Sequence, residues 1–208
     1  MAGRDRTTGR APGRPRQQGH ESGRDRLLKV ARREFARNGF AATSVEDLVK
    51  MAEVTSPTLY HHFGNKRGLF IATAQDVYDR TLAAFRAAID SKAPFDRAID
   101  ALIDESAALM REEPVLAMMI STMQFELRRD PDLARELHPV LLEFRAFFDE
   151  LAERAPADLR PSPQATRDLS RLLVAVVAGI GSEALLLSRA EDITTMLDAL
   201  RRLLRQRS

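Results

Sequence analysis

The chain is 208 residues long, 44% hydrophobic and 30% charged, with a formal net charge of +2, no Cys, no Trp and two Tyr. Absent cysteine excludes disulfide stapling and Cys-ligated zinc and agrees with a reducing cytosol, while abundant Ala, Leu, Arg and Glu predict an all-α protein with one core or two small ones in contact. The small net charge hides a split: residues 1–70 hold fourteen Lys/Arg against seven Asp/Glu and the rest eighteen against twenty-three, a basic front that suits a polyanion and an acidic body with another task.

A solvated basic surface without a partner is the alternative that charge alone leaves open. The opening MAGRDRTTGRAPGRPRQQGHESG is rich in Gly, Arg and Pro with almost no apolar side chain, so residues 1–22 are expected to form a disordered basic tail. No apolar h-region follows its arginines, and no secretory signal is expected. Within the tail, Gly13-Arg14-Pro15-Arg16 resembles the core of a minor-groove AT-hook, which makes Arg14 and Arg16 candidate DNA contacts. A plain tail that adds nonspecific phosphate affinity is the alternative.

Leu27, Ala31 and Phe35 then recur at i, i+4 and i+8, which predicts a helix from Ser22 or Gly23 to Asn38, stopped by Asn38-Gly39. Val45, Leu48, Val49 and Ala52 form the stripe of a short second helix, opened by a capping box of either Thr43 with Glu46 or Ser44 with Asp47. Glu53-Val54-Thr55 makes a tight connection, and Ser56 as N-cap with Pro57 in the first helical position opens a third helix that runs to Phe63. Gly64-Asn65 breaks it, and Asn65 caps a long fourth helix reaching Ile89. Pro94, Pro114, Pro131 and the Pro156–Pro163 segment punctuate the remainder into helices over 94–111, 114–129, 131–154, 163–188 and 191–205. No sustained period-two alternation occurs, so nine helices and no sheet are expected. The most apolar run, LLVAVVAGIGSEALLL (Leu172 to Leu187), falls short of a membrane span and contains Glu183. It reads as a buried helix of a cytoplasmic protein with no membrane partner.

Two short helices joined by a three-residue connection, with a longer helix covering their apolar face, predict a helix-turn-helix whose second member reads DNA. Leu59 and Phe63 suit the core side, which turns Thr58, Tyr60, His61 and His62 outward to differing degrees. Pro57 and Thr58 at the first turn are small enough for close entry into a major groove about 12 Å wide. Tyr60, His61 and Lys66 reach far enough for flanking phosphates, and Thr43 or Ser44 at the start of the second helix offers a hydroxyl and free N–H groups to phosphate. Adjacent His61 and His62 point about 100° apart on a helix, so no metal site is expected from them. A packed or capping role suits His62 better, and Tyr60 is expected to be half packed with its hydroxyl outward.

The run GFAATSVEDLVKMAEVTSPTLYHHFGNKRGLF resembles the DNA-binding domain of the TetR family of bacterial transcriptional repressors, marked by a helix-turn-helix that ends in T-L-Y-x-H-F-x-x-K. Thr58, Leu59, Tyr60, His62, Phe63 and Lys66 fill those places without a gap, and the match covers about residues 25–72. The resemblance implies a three-helix DNA-binding module over 23–70 and a helical effector-binding and dimerisation domain over 71–208. It also implies that Thr43 or Ser44, Ser56, Pro57, Thr58, Tyr60, His61 and Lys66 touch double-stranded operator DNA. Glu46 departs from what a phosphate-facing position prefers.

In the last two helices Ile193, Met196, Leu197, Leu200 and Leu203 or Leu204 make one stripe, while Ala175, Gly179 and Ser182 set small residues on one face. Burial within one chain is one solution; the family-like alternative is a four-helix bundle with a second copy. A homodimer would place two reading helices about one DNA turn apart on a palindrome. Between the two ends lie Met110, Met118, Met119, Met123, Phe125, Phe144, Phe147 and Phe148, any one of which is ordinary core but which together suit an adaptable apolar pocket. With the resemblance, they imply a small apolar effector contacted by Met110, Met119, Met123, Phe144 and Phe148, with His138 and Glu183 as its polar contacts. No cofactor is expected. The functional reading is a repressor released from its operator by that effector; the alternatives are a ligand-independent architectural DNA binder and, more remotely, an all-α enzyme. The enzyme reading lacks support, because GIGSE at Gly179–Glu183 lies inside a helix and has Glu where a nucleophile elbow needs glycine.

Overall fold

The computed structural model describes residues 21–187 and 190–205. Its elements are α1 (Gly23–Ala42), α2 (Val45–Met51), α3 (Ser56–Phe63), α4 (Lys66–Ala88), α5 (Phe95–Glu112), α6 (Pro114–Arg129), α7 (Pro131–Glu153), α8 (Pro163–Leu186) and α9 (Ala190–Arg205), with a short 3-10 turn at Ala157–Leu159. Among the described residues all regular structure is helical, as the composition predicts.

The local chemistry explains the boundaries. Ser22 caps α1 by accepting from the Asp25 N–H at 3.1 Å, and Gly39 breaks the same helix with φ 76°, a left-handed value that glycine adopts without a Cβ clash. Of the two capping boxes open to α2, Ser44 with Asp47 forms: the Asp47 N–H reaches Ser44 Oγ at 3.1 Å and the Ser44 hydroxyl donates to the Asp47 carboxylate at 2.8 Å. Thr55, not Ser56, is the N-cap of α3, so Ser56 opens the helix and Pro57 follows it inside the first turn. Asn65 caps α4 through the Gly68 N–H at 2.8 Å, as expected. A proline stands in the first turn of α6, α7 and α8, where its missing N–H removes no helical bond.

Two apolar clusters share α4. The first joins Leu27, Phe35, Leu48, Leu59 and Phe70 to Leu116, Met119 and Met123 of α6 and Leu137 of α7. The second joins Leu82 and Phe85 of α4 to α5, the later part of α7, α8 and α9. The first three helices therefore have no private core, and α6 lies directly against α1. Polar ties reinforce that seam: Arg32 pairs with Asp76 at 3.1 Å and Glu113 at 3.5 Å, and the Phe40 N–H donates to Glu126 Oε1 at 3.3 Å. At the other end of the module Arg67 pairs with Asp130 at 2.6 Å and Glu136 at 2.8 Å, joining the start of α4 to the α6–α7 corner. The bond to Arg67 holds the Asp130 carboxyl below the usual carboxylate range, and both carboxylates raise the Arg67 guanidinium.

The α8 expectation needs correction. The helix is 24 residues long and meets the length and composition of a membrane span, and most of its apolar surface is uncovered in the single chain. Leu173, Ile180 and Gly181 face inward, while Leu172, Ala175, Gly179, Ser182 and Leu186 lie on the opposite, exposed side, with Leu172 57% and Leu186 76% exposed. The α9 stripe divides differently: Ile193 and Leu197 are buried against their own chain, Met196 and Leu200 pack beside them, and Leu203 is 66% exposed.

Candidate nucleic-acid interface and interior cavity

The helix-turn-helix is held from behind. Leu59 is fully buried and anchors α3, while Phe63 packs at the core edge with the Arg24 guanidinium 5.7 Å from its ring centre. Arg26 of α1 ties the turn between α2 and α3: Nε donates to the Ala52 carbonyl at 2.9 Å and Nη2 to the Glu53 carbonyl at 3.2 Å. Glu53 itself has φ 52°, a left-handed conformation that costs a non-glycine residue about 1–2 kcal/mol and sets the sharp angle between the helices. The outward side of α3 then carries Pro57, Tyr60, His61 and His62, all exposed, with Ser56 and Thr58 half-buried beside them. Tyr60 is 51% exposed, as its half-packed reading predicts. The Thr58 hydroxyl lies 3.0 Å from that of Thr55, a pairing that orients it at the leading edge of the helix.

Two sequence-predicted site residues, Thr43 and Lys66, lie elsewhere, and His62 differs from its expected packed role. Thr43 is 4% exposed and its hydroxyl donates to the Gly39 carbonyl at 2.8 Å, so Ser44 alone presents a hydroxyl at the start of α2. Lys66 is not extended toward solvent: its Nζ donates to the Phe40 and Thr43 carbonyls at 2.9 Å each and to the Ala41 carbonyl at 3.4 Å, and stands 4.6 Å from the Phe40 ring centre. It satisfies the end of α1, whose last turn holds no basic residue of its own. His62 is exposed rather than packed, its ring edge-on to those of His61 and Phe63. Arg14 and Arg16 lie outside the described residues.

The role of Lys66 gives a first expected outcome. Lys66→Met leaves three carbonyls without their charged donor and should lower unfolding free energy by about 1–3 kcal/mol in urea titration. The salt dependence of DNA binding should be unchanged, because no phosphate contact is lost. A shallower salt slope without loss of stability would restore Lys66 to the DNA face.

The body encloses a cavity of about 340 Å³ between α4, α5, α6, α7 and α8. Its walls include Tyr78, Phe85, Met110, Ile120, Phe144 and Val177. Of the seven sequence-predicted ligand contacts, Met110 and Phe144 line it. Met119, Met123 and Phe148 are fully buried core instead, packed against neighbouring helices, and His138 and Glu183 are exposed and away from the lining. The missed polar lining includes Tyr78, Ser106, Gln124 and two arginines, Arg128 and Arg145. The signal for part of it is in α6, where Ile120, Gln124 and Leu127 repeat at i, i+4 and i+7 one position after the Met119, Met123 stripe. The Tyr78 phenol is pushed up to about 12 by burial and stays a neutral hydrogen-bond donor at physiological pH.

Comparison with known proteins agrees with this geometry. Residues 27–73 match the family described as bacterial regulatory proteins, tetR family. The HTH-type transcriptional regulator UidR of Escherichia coli K12 is 28% identical over 171 residues, covering 82% of this chain and 83% of UidR. Salmonella enterica GusR superposes with a TM-score of 0.62 at 26% identity, covering 86% of this chain and 95% of that one. The fold of the fatty acid degradation regulator FadR from Bacillus halodurans gives a TM-score of 0.69 at 19% identity, covering 90% of this chain and 96% of FadR. Residues 27–73 are a DNA-binding domain of the TetR family, and over most of its length the chain is similar to helix-turn-helix transcriptional regulators, whose work is regulation of transcription rather than catalysis.

Proposed function

We propose that the protein is a cytoplasmic homodimeric repressor that holds a palindromic operator through α3 and leaves it when a small, mostly apolar effector fills the cavity. The observation that carries the reading is the outward side of α3: four exposed side chains on a helix anchored by a fully buried Leu59 and braced at its turn by Arg26. Pro57 and Thr58 enter the major groove, Tyr60 and His61 reach flanking phosphates, and Ser44 and Ser56 contact the backbone. Residues 23–70 form the reading module and 71–208 the effector and dimer module, although the two share one apolar cluster.

The dimer is proposed to close through the exposed side of α8 and the outer end of α9, which removes the large uncovered apolar surface. The effector acts by population shift. α4 and α6 form cavity walls and also carry the reading module, so an occupant that fits one arrangement of those helices better selects one spacing of the two α3 helices.

Binding-site selection from random duplex with the purified protein tests the reading. An inverted repeat with half-site centres about one helical turn apart is the expected result. Broad coating of DNA without a recovered motif would point to an architectural role instead. A ligand that saturates the cavity should lower operator affinity, and saturation with unchanged affinity would remove the effector half of the proposal.

A further inference from the structure

The cavity lining is electrically lopsided in a way its surroundings are not. Residues 71–208 carry twenty-three acidic against eighteen basic side chains, yet the lining contains Arg128 and Arg145 and no Asp or Glu. Arg128 comes from the last turn of α6 and Arg145 from the middle of α7, so two helices bring positive charge to one space. Arg80 pairs with Asp76, Arg171 with Asp168, and Arg201 with Asp100 and Asp198, each outside the cavity lining. Neither Arg128 nor Arg145 has an ion-pair partner among the described residues. Both are exposed, which places their guanidinium groups at the mouth rather than in the apolar depth. Ser121, Gln124 and Arg128 follow one another at i, i+3 and i+7 on α6 and give one edge of an otherwise apolar wall hydrogen-bonding capacity.

We propose that the cavity takes an amphipathic organic anion, its ring or chain body lying against Phe85, Phe144 and Val177 and its oxyanion group held at the mouth by Arg128 and Arg145. The inference rests on the effector reading above and narrows it. A neutral apolar ligand leaves both lining cations without a counterion, whereas the planar donor fork of arginine matches a carboxylate, sulfonate or phosphate. An organic cation is disfavoured outright, because the lining offers no carboxylate to receive it. The exposure of both arginines limits what each contributes, so the pair selects among ligands while the apolar wall supplies most of the affinity.

The test uses a matched pair of fluorescent probes on the full chain: 1-anilinonaphthalene-8-sulfonate and its neutral counterpart N-phenyl-1-naphthylamine, titrated in about 50 mM salt to limit screening. The sulfonate should bind saturably and about tenfold more tightly than the neutral dye, as expected for a charge-assisted, partly exposed contact. The double variant R128Q/R145Q alters only exposed side chains and should fold; it should remove that tenfold advantage and leave the neutral dye unchanged. Gly181→Leu, which projects into the cavity beside Ala117 and Met110, should weaken both dyes and assign them to this site. Competition by dodecanoate or by dodecyl phosphate supports the anion and tells carboxylate from phosphate. Equal affinity for the two dyes, an unchanged sulfonate affinity in R128Q/R145Q, saturable binding of neither dye, or competition by dodecan-1-ol alone would overturn the proposal. If the anion binds as described but operator affinity does not move, the site stands and the effector role falls, so the two failures are distinct.

Discussion

Gly179→Arg is expected to leave the chain folded and abolish tight operator binding. A Cβ at Gly179 meets nothing within 4 Å, and the position lies on the uncovered side of α8. Within one chain the change is therefore free of clashes, and replacing glycine in a helix interior should even favour the helix by up to about 1 kcal/mol. Across a two-fold interface the same residue meets the corresponding surface of the second copy, so each dimer would have to bury two long like-charged side chains where backbones approach closely. In the proposed interface the small residues Ala175, Gly179 and Ser182, between Leu172 and Leu186, are where the two copies would approach most closely, which would leave no room for such a group. A monomer presents one α3 and loses the effective concentration that joins two half-sites, a loss of about 10²–10⁴ in operator affinity. Light scattering should show half the mass of the parent protein with unchanged helix content, alongside that loss. A Gly179→Arg protein that remains dimeric and binds normally would move the interface off α8.

The same helix shows where sequence reading reached and where it stopped. Its existence and start were legible, because Pro163 announces an N-terminus, and Pro114 and Pro131 do so equally for α6 and α7. Its surroundings were not, since an apolar run states that water is to be avoided and not whether its own chain or another molecule covers it. The cavity illustrates a second limit. Met119 and Ile120 are neighbours in sequence and point about 100° apart, one into solid core against α1 and the other into open space. Helical periodicity marks both as inward; only the way five helices fail to close on one another decides which faces a void. Lys66 shows a third. In sequence it is a cation beside a reading helix, and its partners are main-chain carbonyls between 23 and 26 positions away, which carry no residue signal. The α3 surface was legible because it depends on local spacing alone: Leu59 fixes the inner side, and Pro57, Tyr60 and His61 follow on the outer.

Tyr60→Ala should weaken operator binding by about tenfold to a hundredfold, the range for losing one or more well-placed contacts of 1–3 kcal/mol in total. The ring is half exposed and points about 100° away from the buried Leu59, so its removal should change unfolding free energy by less than about 1 kcal/mol. A phosphate contact from an uncharged phenol carries no base information and releases no counterion. The loss should therefore be uniform across operator variants, and the salt slope should stay the same. Tyr60→Phe separates ring from hydroxyl: most of the loss appears in Phe if hydrogen bonding to phosphate dominates, and little of it if packing against the sugar backbone dominates. Thr58→Ala offers the contrast, because it removes a hydroxyl and methyl at the leading edge of the helix and should relax sequence preference at one base pair of each half-site. Affinity measured across a set of single-base operator variants resolves the two patterns. If Tyr60→Ala binds as tightly as the parent while Thr58→Ala loses affinity evenly for every sequence, α3 meets DNA along a different edge from the one exposed by Leu59 burial.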